Sequence, residues 1–210
     1  MGIKSTILSL LSLALIGAGV ALIASFFVGS DLFGSAVSGE GDGGEDPNFN
    51  VPVLEESTGD RGDEEAPDAP EDKTLTVSIP EMEVQEAAVP DAKGDDEAKL
   101  KDNLGIHLQG TGFPWEEGAN VYIAGHRLGY PNTASFLAFW DLDALEKGDQ
   151  ITIKDAEGRE YRYEVFREVV VEPTNLDVTR PVPGKDVLTL QTCTLPDYSQ
   201  RLIVQAEKVA

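Results

Sequence analysis

The chain has 210 residues with 38 Asp and Glu against 16 Lys and Arg, a formal net charge of −22. That balance excludes a nucleic-acid partner, because a phosphate backbone calls for clustered Lys and Arg. One cysteine excludes an intrachain disulfide, and one Cys with two His excludes a cysteine-histidine zinc site.

Residues 7–28 form an uncharged run of Leu, Ala, Ile, Val, Phe and Gly. About 20 such residues cross the hydrocarbon core as a helix, so residues 1–30 read as an N-terminal transmembrane anchor. A cleaved signal peptide is the competing reading, but its apolar region runs only about 7–15 residues, and the anchor is favoured. Lys4 precedes the run and Asp31 follows it. The positive-inside bias then keeps the N-terminus in the cytoplasm and places the rest outside, as a single-pass cell-membrane protein with an extracellular domain. Residues 31–73 are rich in Gly, Pro, Asp and Glu and hold about half of the acidic excess. Such a segment cannot bury enough apolar surface to offset its ordering entropy, and reads as a disordered linker with a mean span of roughly 35–40 Å. Residues 74–210 are long enough for one domain with its own core.

Within that domain, 74–79 alternates apolar and polar residues up to Pro80 and reads as an edge or opening strand. Residues 81–100 are polar, a candidate lid. A short apolar run, 121–124, ends in Gly125-His126, which puts His126 at a strand end or in the loop after it. Residues 135–145 carry Phe136, Phe139, Trp140, Leu142 and Leu145 at mixed spacing, which predicts a short helix or helical turn. The three aromatics read as core residues covering one barrel end. After the break at Lys147-Gly148-Asp149, the alternations of Ile151/Ile153 and Tyr161/Tyr163/Val165 about Glu157-Gly158 predict a hairpin of 150–154 with 160–171. A polar, Pro-containing connection, 172–185, leads to strand 186–193 and then to the last strand, 201–207. Many short strands and few helices predict an all-β barrel or sandwich with Cys193 and Arg201 at the mouths of neighbouring strands.

A thiol, an imidazole and a guanidinium, at Cys193, His126 and Arg201, suit acyl transfer. A thiol with an ordinary pKa near 8.5 is only about 3% thiolate at pH 7, so Cys193 needs a cationic neighbour. His126 suits proton transfer near neutrality. Arg201 stays protonated, so its work is electrostatic: hydrogen bonds to an oxyanion, where one donor is worth roughly 3–4 kcal/mol. The backbone N–H of Thr194 is a second candidate donor. The bland readings are a buried apolar cysteine, a structural histidine and a solvated edge charge.

The strings TLQTC at 189–193, Arg201-Leu202-Ile203-Val204 and Ile123-Ala124-Gly125-His126-Arg127 resemble the signature of sortases, cell-surface cysteine transpeptidases of mainly Gram-positive bacteria. The resemblance covers nearly all of 74–210. It includes the strand ending Ile79-Pro80, Gly110-Thr111 before the His strand, and LEKGD at 145–149 before the hairpin. It implies an eight-stranded β-barrel with short helices and a triad of His126, Cys193 and Arg201. In that chemistry Cys193 attacks the Thr–Gly carbonyl of an LPXTG-like sorting signal on a surface protein, with LPXTG and LAXTG both open. A cell-wall precursor or other amine then resolves the thioacyl enzyme. Thr192 and Thr194 are the expected substrate-contacting residues, and 172–185 the segment that helps cradle the signal. No cofactor or metal is implied; some members bind calcium, and no clear site for it is found. The absence of a second apolar span departs from the pilin-polymerising branch, and the Trp-containing 112–120 stretch and acidic linker look closer to actinobacterial-type, class E/F-like members. Two other readings stay open: a thiol hydrolase or peptidase using water as acceptor, and a non-catalytic tethered binding domain.

Other residues are weighed against simpler roles. His107 reads as structural, with a place near the active site as the sharper alternative. Arg127 orients a loop or contacts substrate, with an exposed charge as the equal alternative; Asp141 and Asp143 read as a solvated helix face, with steadying a cation as the sharper alternative; and Asp197 and Tyr198 read as rim residues.

Overall fold

The computed structural model describes residues 51–54 and 69–209. The apolar run at 7–28 and most of the expected linker lie outside them. Among the described residues, no helix is long and apolar enough to cross a membrane.

Among the described residues, nine strands form one sheet. They are β1 (Leu75–Ile79), β2 (Val84–Val89), β3 (Asp91–Ala92), β4 (Ile106–Leu108), β5 (Asn120–Ala124), β6 (Gln150–Lys154), β7 (Glu160–Val171), β8 (Val187–Cys193) and β9 (Arg201–Val209). One short helix, α1 (Glu97–Asp102), follows β3 and is capped by the Asp96 side chain, which accepts from the Lys99 N–H. Three 3₁₀ turns, Pro80–Met82, Leu142–Ala144 and Leu176–Thr179, complete the elements among the described residues.

The strand order is β2-β1-β6-β7-β9-β8-β5-β4-β3. Its two ends are joined through a single residue, Pro90, because β2 pairs with β1 at one edge and β3 pairs with β4 at the other. Proline has no N–H to give a ladder, and here it marks the crossing from one edge to the other. The sheet therefore curls into a nearly closed barrel. Taking β2 and β3 as one interrupted strand gives the eight strands implied by the sequence. The polar 81–100 stretch is accordingly barrel wall and α1 rather than a lid. Its strand character is hidden because β2 is mostly exposed, with only Val89 buried.

Alternation builds the interior. In β1 the residues Leu75, Val77 and Ile79 point inward, and the same cluster takes in Ile151 and Ile153 of β6, Leu188 and Leu190 of β8, and Leu202 and Val204 of β9. Each such side chain contributes about 1.5–3 kcal/mol of burial against an exposed reference. Phe139, Leu142 and Leu145 plug this cluster. Of the three aromatics expected in the core only Phe139 is there; Phe136 is 43% and Trp140 38% exposed. The 135–145 segment is a string of turns rather than a helix, ending in the 3₁₀ turn Leu142–Ala144.

β5, β8 and most of β9 are buried on both faces. Val121 and Ile123 of β5 face the interior, whereas Tyr122 and Ala124 join a second cluster on the outer face with Val51, Ala92, Leu100, Ile106 and Leu108. Val51 belongs to the region expected as linker, yet it is buried here. A Cβ on Gly94 would stand 2.3 Å from the Pro52 carbonyl oxygen, so a bare glycine lets residues 51–54 lie against the barrel.

Candidate active site

The three candidate residues come from three adjacent strands. Cys193 closes β8 and Arg201 opens β9, directly opposite each other in the antiparallel register. β5 runs parallel along the other side of β8, with Ala124 opposite Gln191, and the Gly125 N–H donates to the Gln191 carbonyl at 3.0 Å. Two residues beyond Ala124, His126 draws level with Cys193. Period-2 alternation puts Cys193 on the outer face with Thr189 and Gln191, because Leu188 and Leu190 point inward. All three candidate residues are almost wholly buried, at 1%, 0% and 2% exposure for His126, Cys193 and Arg201.

The loop between β8 and β9 fixes this end of the barrel. The Thr194 N–H donates to the Gln200 carbonyl at 3.0 Å, the Gln200 N–H returns to Thr194 Oγ1 at 3.2 Å, and the Tyr198 N–H donates to the Thr194 carbonyl at 3.1 Å. The Thr194 N–H, the second candidate oxyanion donor, thus donates within the loop. Arg201 Nη1 donates to the Tyr198 and Gln200 carbonyls, each at 3.1 Å, which sets the plane of the guanidinium beside Cys193. Thr192 is buried, and alternation puts its side chain on the interior side with Leu190 and Leu202. Any contact with substrate there falls to its backbone. Asp197 accepts from Ser199, whose hydrogen bonds hold its carboxyl below the usual range.

His126 sits between two anchors. Its carbonyl accepts from the Phe139 N–H at 3.0 Å, and its Nε2 lies 3.0 Å from Glu97 Oε1. Tyr130 meets the ring edge-on, with centroids 5.5 Å apart at 89°. Arg127 is buried, not an exposed charge. Its Nη2 donates to Asp143 Oδ1 at 2.7 Å and its guanidinium lies 5.9 Å from the Trp140 ring centre, so it orients the loop after His126. Asp143 is thereby paired. Among the described residues, no group of three or more His, Cys, Asp and Glu could hold a metal ion.

His107 is structural. Its Nδ1 lies 2.7 Å from Asp91 Oδ1 and its Nε2 3.0 Å from the Gly112 carbonyl, tying β3 and β4 to the following loop. Phe113 packs on its ring, with Trp115 stacked beyond.

Lower on the same outer face, the Asn120 amide donates to the carbonyls of Val178 and Arg180 at 2.9 and 3.0 Å and accepts from Thr189 Oγ1 at 2.7 Å. This pins the 172–185 segment to β5. A recess of 520 Å³ lined by Thr111, Phe113, Glu116, Asn120, Thr179 and Pro181 opens there, at the opposite end of β5 from His126. Tyr122 Oη donates to Gln191 Oε1 between these two regions, and burial pushes the Tyr122 phenol well above its ordinary range.

Residues 77–209 match the Sortase domain family. The chain belongs to the sortase family. It is 28% identical over 131 residues to Sortase A of Streptococcus agalactiae serotype III (strain NEM316), covering 62% of this chain and 51% of that one. The chain thus spans about half the length of that curated relative. Among solved structures, it resembles Streptococcus agalactiae Sortase C1 with a TM-score of 0.56 at 29% identity, covering 65% of this chain and 66% of that chain. Sortase C-1 from Actinomyces oris superposes with a TM-score of 0.55 at 34% identity, covering 65% and 73%. These relatives carry A-type and C-type names, and none of the three supports the class E/F-like placement.

Proposed function

We propose that this chain is a sortase transpeptidase in which Cys193, His126 and Arg201 carry the reaction. One observation supports this most: the register sets Cys193 opposite Arg201 and brings His126 level with both from the neighbouring parallel strand. The Cys193 proton passes to His126, and the thiolate attacks the carbonyl of the Thr–Gly bond in an LPXTG-like sorting signal. A carbon–sulfur bond forms, and the carbonyl electrons move onto oxygen. Arg201 donates hydrogen bonds to that oxyanion, a contribution of roughly 3–4 kcal/mol for a well-placed donor. Collapse breaks the carbon–nitrogen bond while the His126 imidazolium gives its proton to the departing amine. An incoming amine then attacks the thioester, loses its proton to His126 and expels the Cys193 thiolate.

The substrates in this reading are surface proteins bearing a sorting signal, and the acceptor is a cell-wall amine. The chain would work outside the membrane, held by residues 7–28 through the acidic linker. The test is to incubate the full chain with LPXTG and LAXTG peptides, with and without a glycine-based or diaminopimelate-type amine, and to follow products by mass spectrometry. A Cys193-dependent amide product with the added amine is expected. Hydrolysis alone, unchanged by amine, would replace the proposal with a thiol hydrolase, and no turnover of any peptide would favour a binding domain.

A further inference from the structure

A carboxylate on the first residue of α1 approaches the His126 ring from outside the triad. Glu97 Oε1 lies 3.0 Å from His126 Nε2 and accepts from the Tyr130 hydroxyl at 2.8 Å. Burial, the largest single influence, pushes the Glu97 carboxyl up. The hydrogen bonds from His126 and Tyr130, with the charges of His126 and Lys101, outweigh it and hold the carboxyl below its usual value. Glu97 is therefore an anion at neutral pH, and an anion can only accept.

Its placement is braced from both sides. The Asp96 cap starts α1 one residue earlier, and Leu100 buries the helix in the outer cluster. The Lys101 carbonyl accepts from the Ser135 N–H at 3.3 Å, Ser135 Oγ accepts from the Tyr130 N–H at 3.2 Å, and Lys101 Nζ lies 4.9 Å from the Tyr130 ring centre. Helix and His126 loop are thus joined at two points, through Glu97 and through Lys101.

We infer that Glu97, steadied by Tyr130, is the positioning residue for His126: it fixes the ring proton on Nε2, so that Nδ1 is the nitrogen exchanging protons with thiol and amine. The inference rests on the transpeptidase reading for its kinetic consequence but not for its structural one. A neutral imidazole carries one N–H, and the acceptor at one nitrogen decides which. When Nδ1 takes a proton, the imidazolium forms beside a carboxylate already in contact, so no reorganisation is needed at that moment.

The chain has two histidines, which makes the test direct. Full chain labelled with ¹⁵N-histidine, purified in mild detergent, gives two imidazole signal sets, with His126 the set that responds to substitution at Glu97. Neutral His126 is expected in the Nε2–H form. Glu97→Ala should mix the tautomers and lower kcat by about 10–100-fold, as loss of alignment does, with KM nearly unchanged. Glu97→Gln keeps an acceptor oxygen and should restore the tautomer and most of kcat, while thermal unfolding shows the fold intact in each variant. A Glu97→Ala protein with the wild-type tautomer overturns the inference whatever the enzyme does. A wild-type chain without acyl transfer would sink the proposed function and leave the tautomer measurement to decide this one. Should Glu97→Ala fail to fold, Glu97→Gln and Tyr130→Phe carry the test: a mixed tautomer in Glu97→Gln, or an unaltered His126 signal in Tyr130→Phe, would count against it.

Discussion

Gly125 is where packing and chemistry meet, and Gly125→Ala tests the link. A Cβ there would stand 2.7 Å from the Leu104 carbonyl oxygen and 2.9 Å from two ring carbons of Phe139. Neither neighbour yields cheaply: the first is backbone, and Phe139 is fully buried in the barrel core. Reaching an ordinary 3.4 Å contact requires a shift of about 0.7 Å at the end of β5. Overpacking of this kind costs about 1–3 kcal/mol, a loss of roughly 3–10 °C in Tm for a domain of this size. His126 is the next residue and is tied to Phe139 through its carbonyl, so the same shift displaces the imidazole. A misplacement near 1 Å costs about 100-fold in rate, so kcat/KM should fall by about 10–100-fold. The assay is a fluorogenic sorting-signal peptide alongside thermal unfolding. Gly158→Ala is the control. Gly158 has φ of +83° with nothing near its Cβ position, in the turn at the far end of β7 from Arg201, so it should lose about 1 kcal/mol and no activity. Full activity and an unchanged Tm in Gly125→Ala would refute the reasoning.

Three further outcomes are expected. Asp155 has a fully buried side chain accepting from the N–H groups of Glu157 and Arg159, the Arg159 guanidinium at 2.6 Å and the Tyr161 hydroxyl at 3.0 Å. Burial pushes its carboxyl up, but these bonds outweigh it and hold it below the usual range, while the Tyr161 phenol is pushed up to about 12, by burial first and then by Asp155. A depressed carboxyl contributes stability above its unfolded pKa near about 3.9, lost as pH falls through the lower folded value. Asp155→Asn should cost about 1.5–3 kcal/mol at pH 7, discounted toward the low end because Arg159 is a third exposed, and should flatten acid unfolding followed by urea melts. Asn120→Ala frees the 172–185 segment and should cost about 2 kcal/mol by the same melts; if that segment cradles the signal, KM rises more than kcat falls. Arg201→Lys should lose about 100-fold in kcat, because an ammonium cannot reproduce the guanidinium fork beside Cys193, and a variant within twofold of wild type would remove Arg201 from the oxyanion role.

How far the chain could be read in advance followed where its signals are local. The β6–β7 hairpin falls at 150–154 and 160–171 as expected, because one alternating face packs in the barrel and Glu157-Gly158 supplies the turn. β8 and β9 were legible as apolar runs, and with them the opposition of Cys193 and Arg201. β2, β3 and β4 were not: β2 shows mostly polar residues to solvent, and the other two strands are two and three residues long, held by pairing rather than by any pattern of their own. Phe136 and Trp140 failed as core residues because composition gives no direction in an irregular string of turns; only Phe139 points inward. Glu97 was invisible for a related reason. It lies in an acidic run where each carboxylate looks alike, and only tertiary structure brings one of them to His126. The signal that could have flagged it is the Asp96 cap followed by the amphipathic Glu97-Ala98-Lys99-Leu100 stretch.

The central claim, that three neighbouring strand ends assemble an acyl-transfer site around Cys193, is tested most directly by intact-mass spectrometry of the full chain quenched after mixing with a sorting-signal peptide. The wild-type chain should gain the mass of the N-terminal peptide fragment ending in Thr, and lose it when an amine is added. Cys193→Ala should gain nothing, and His126→Ala and Arg201→Ala should accumulate the adduct far more slowly. An adduct that persists in Cys193→Ala, or none in the wild type with any peptide that it cleaves, would contradict the claim.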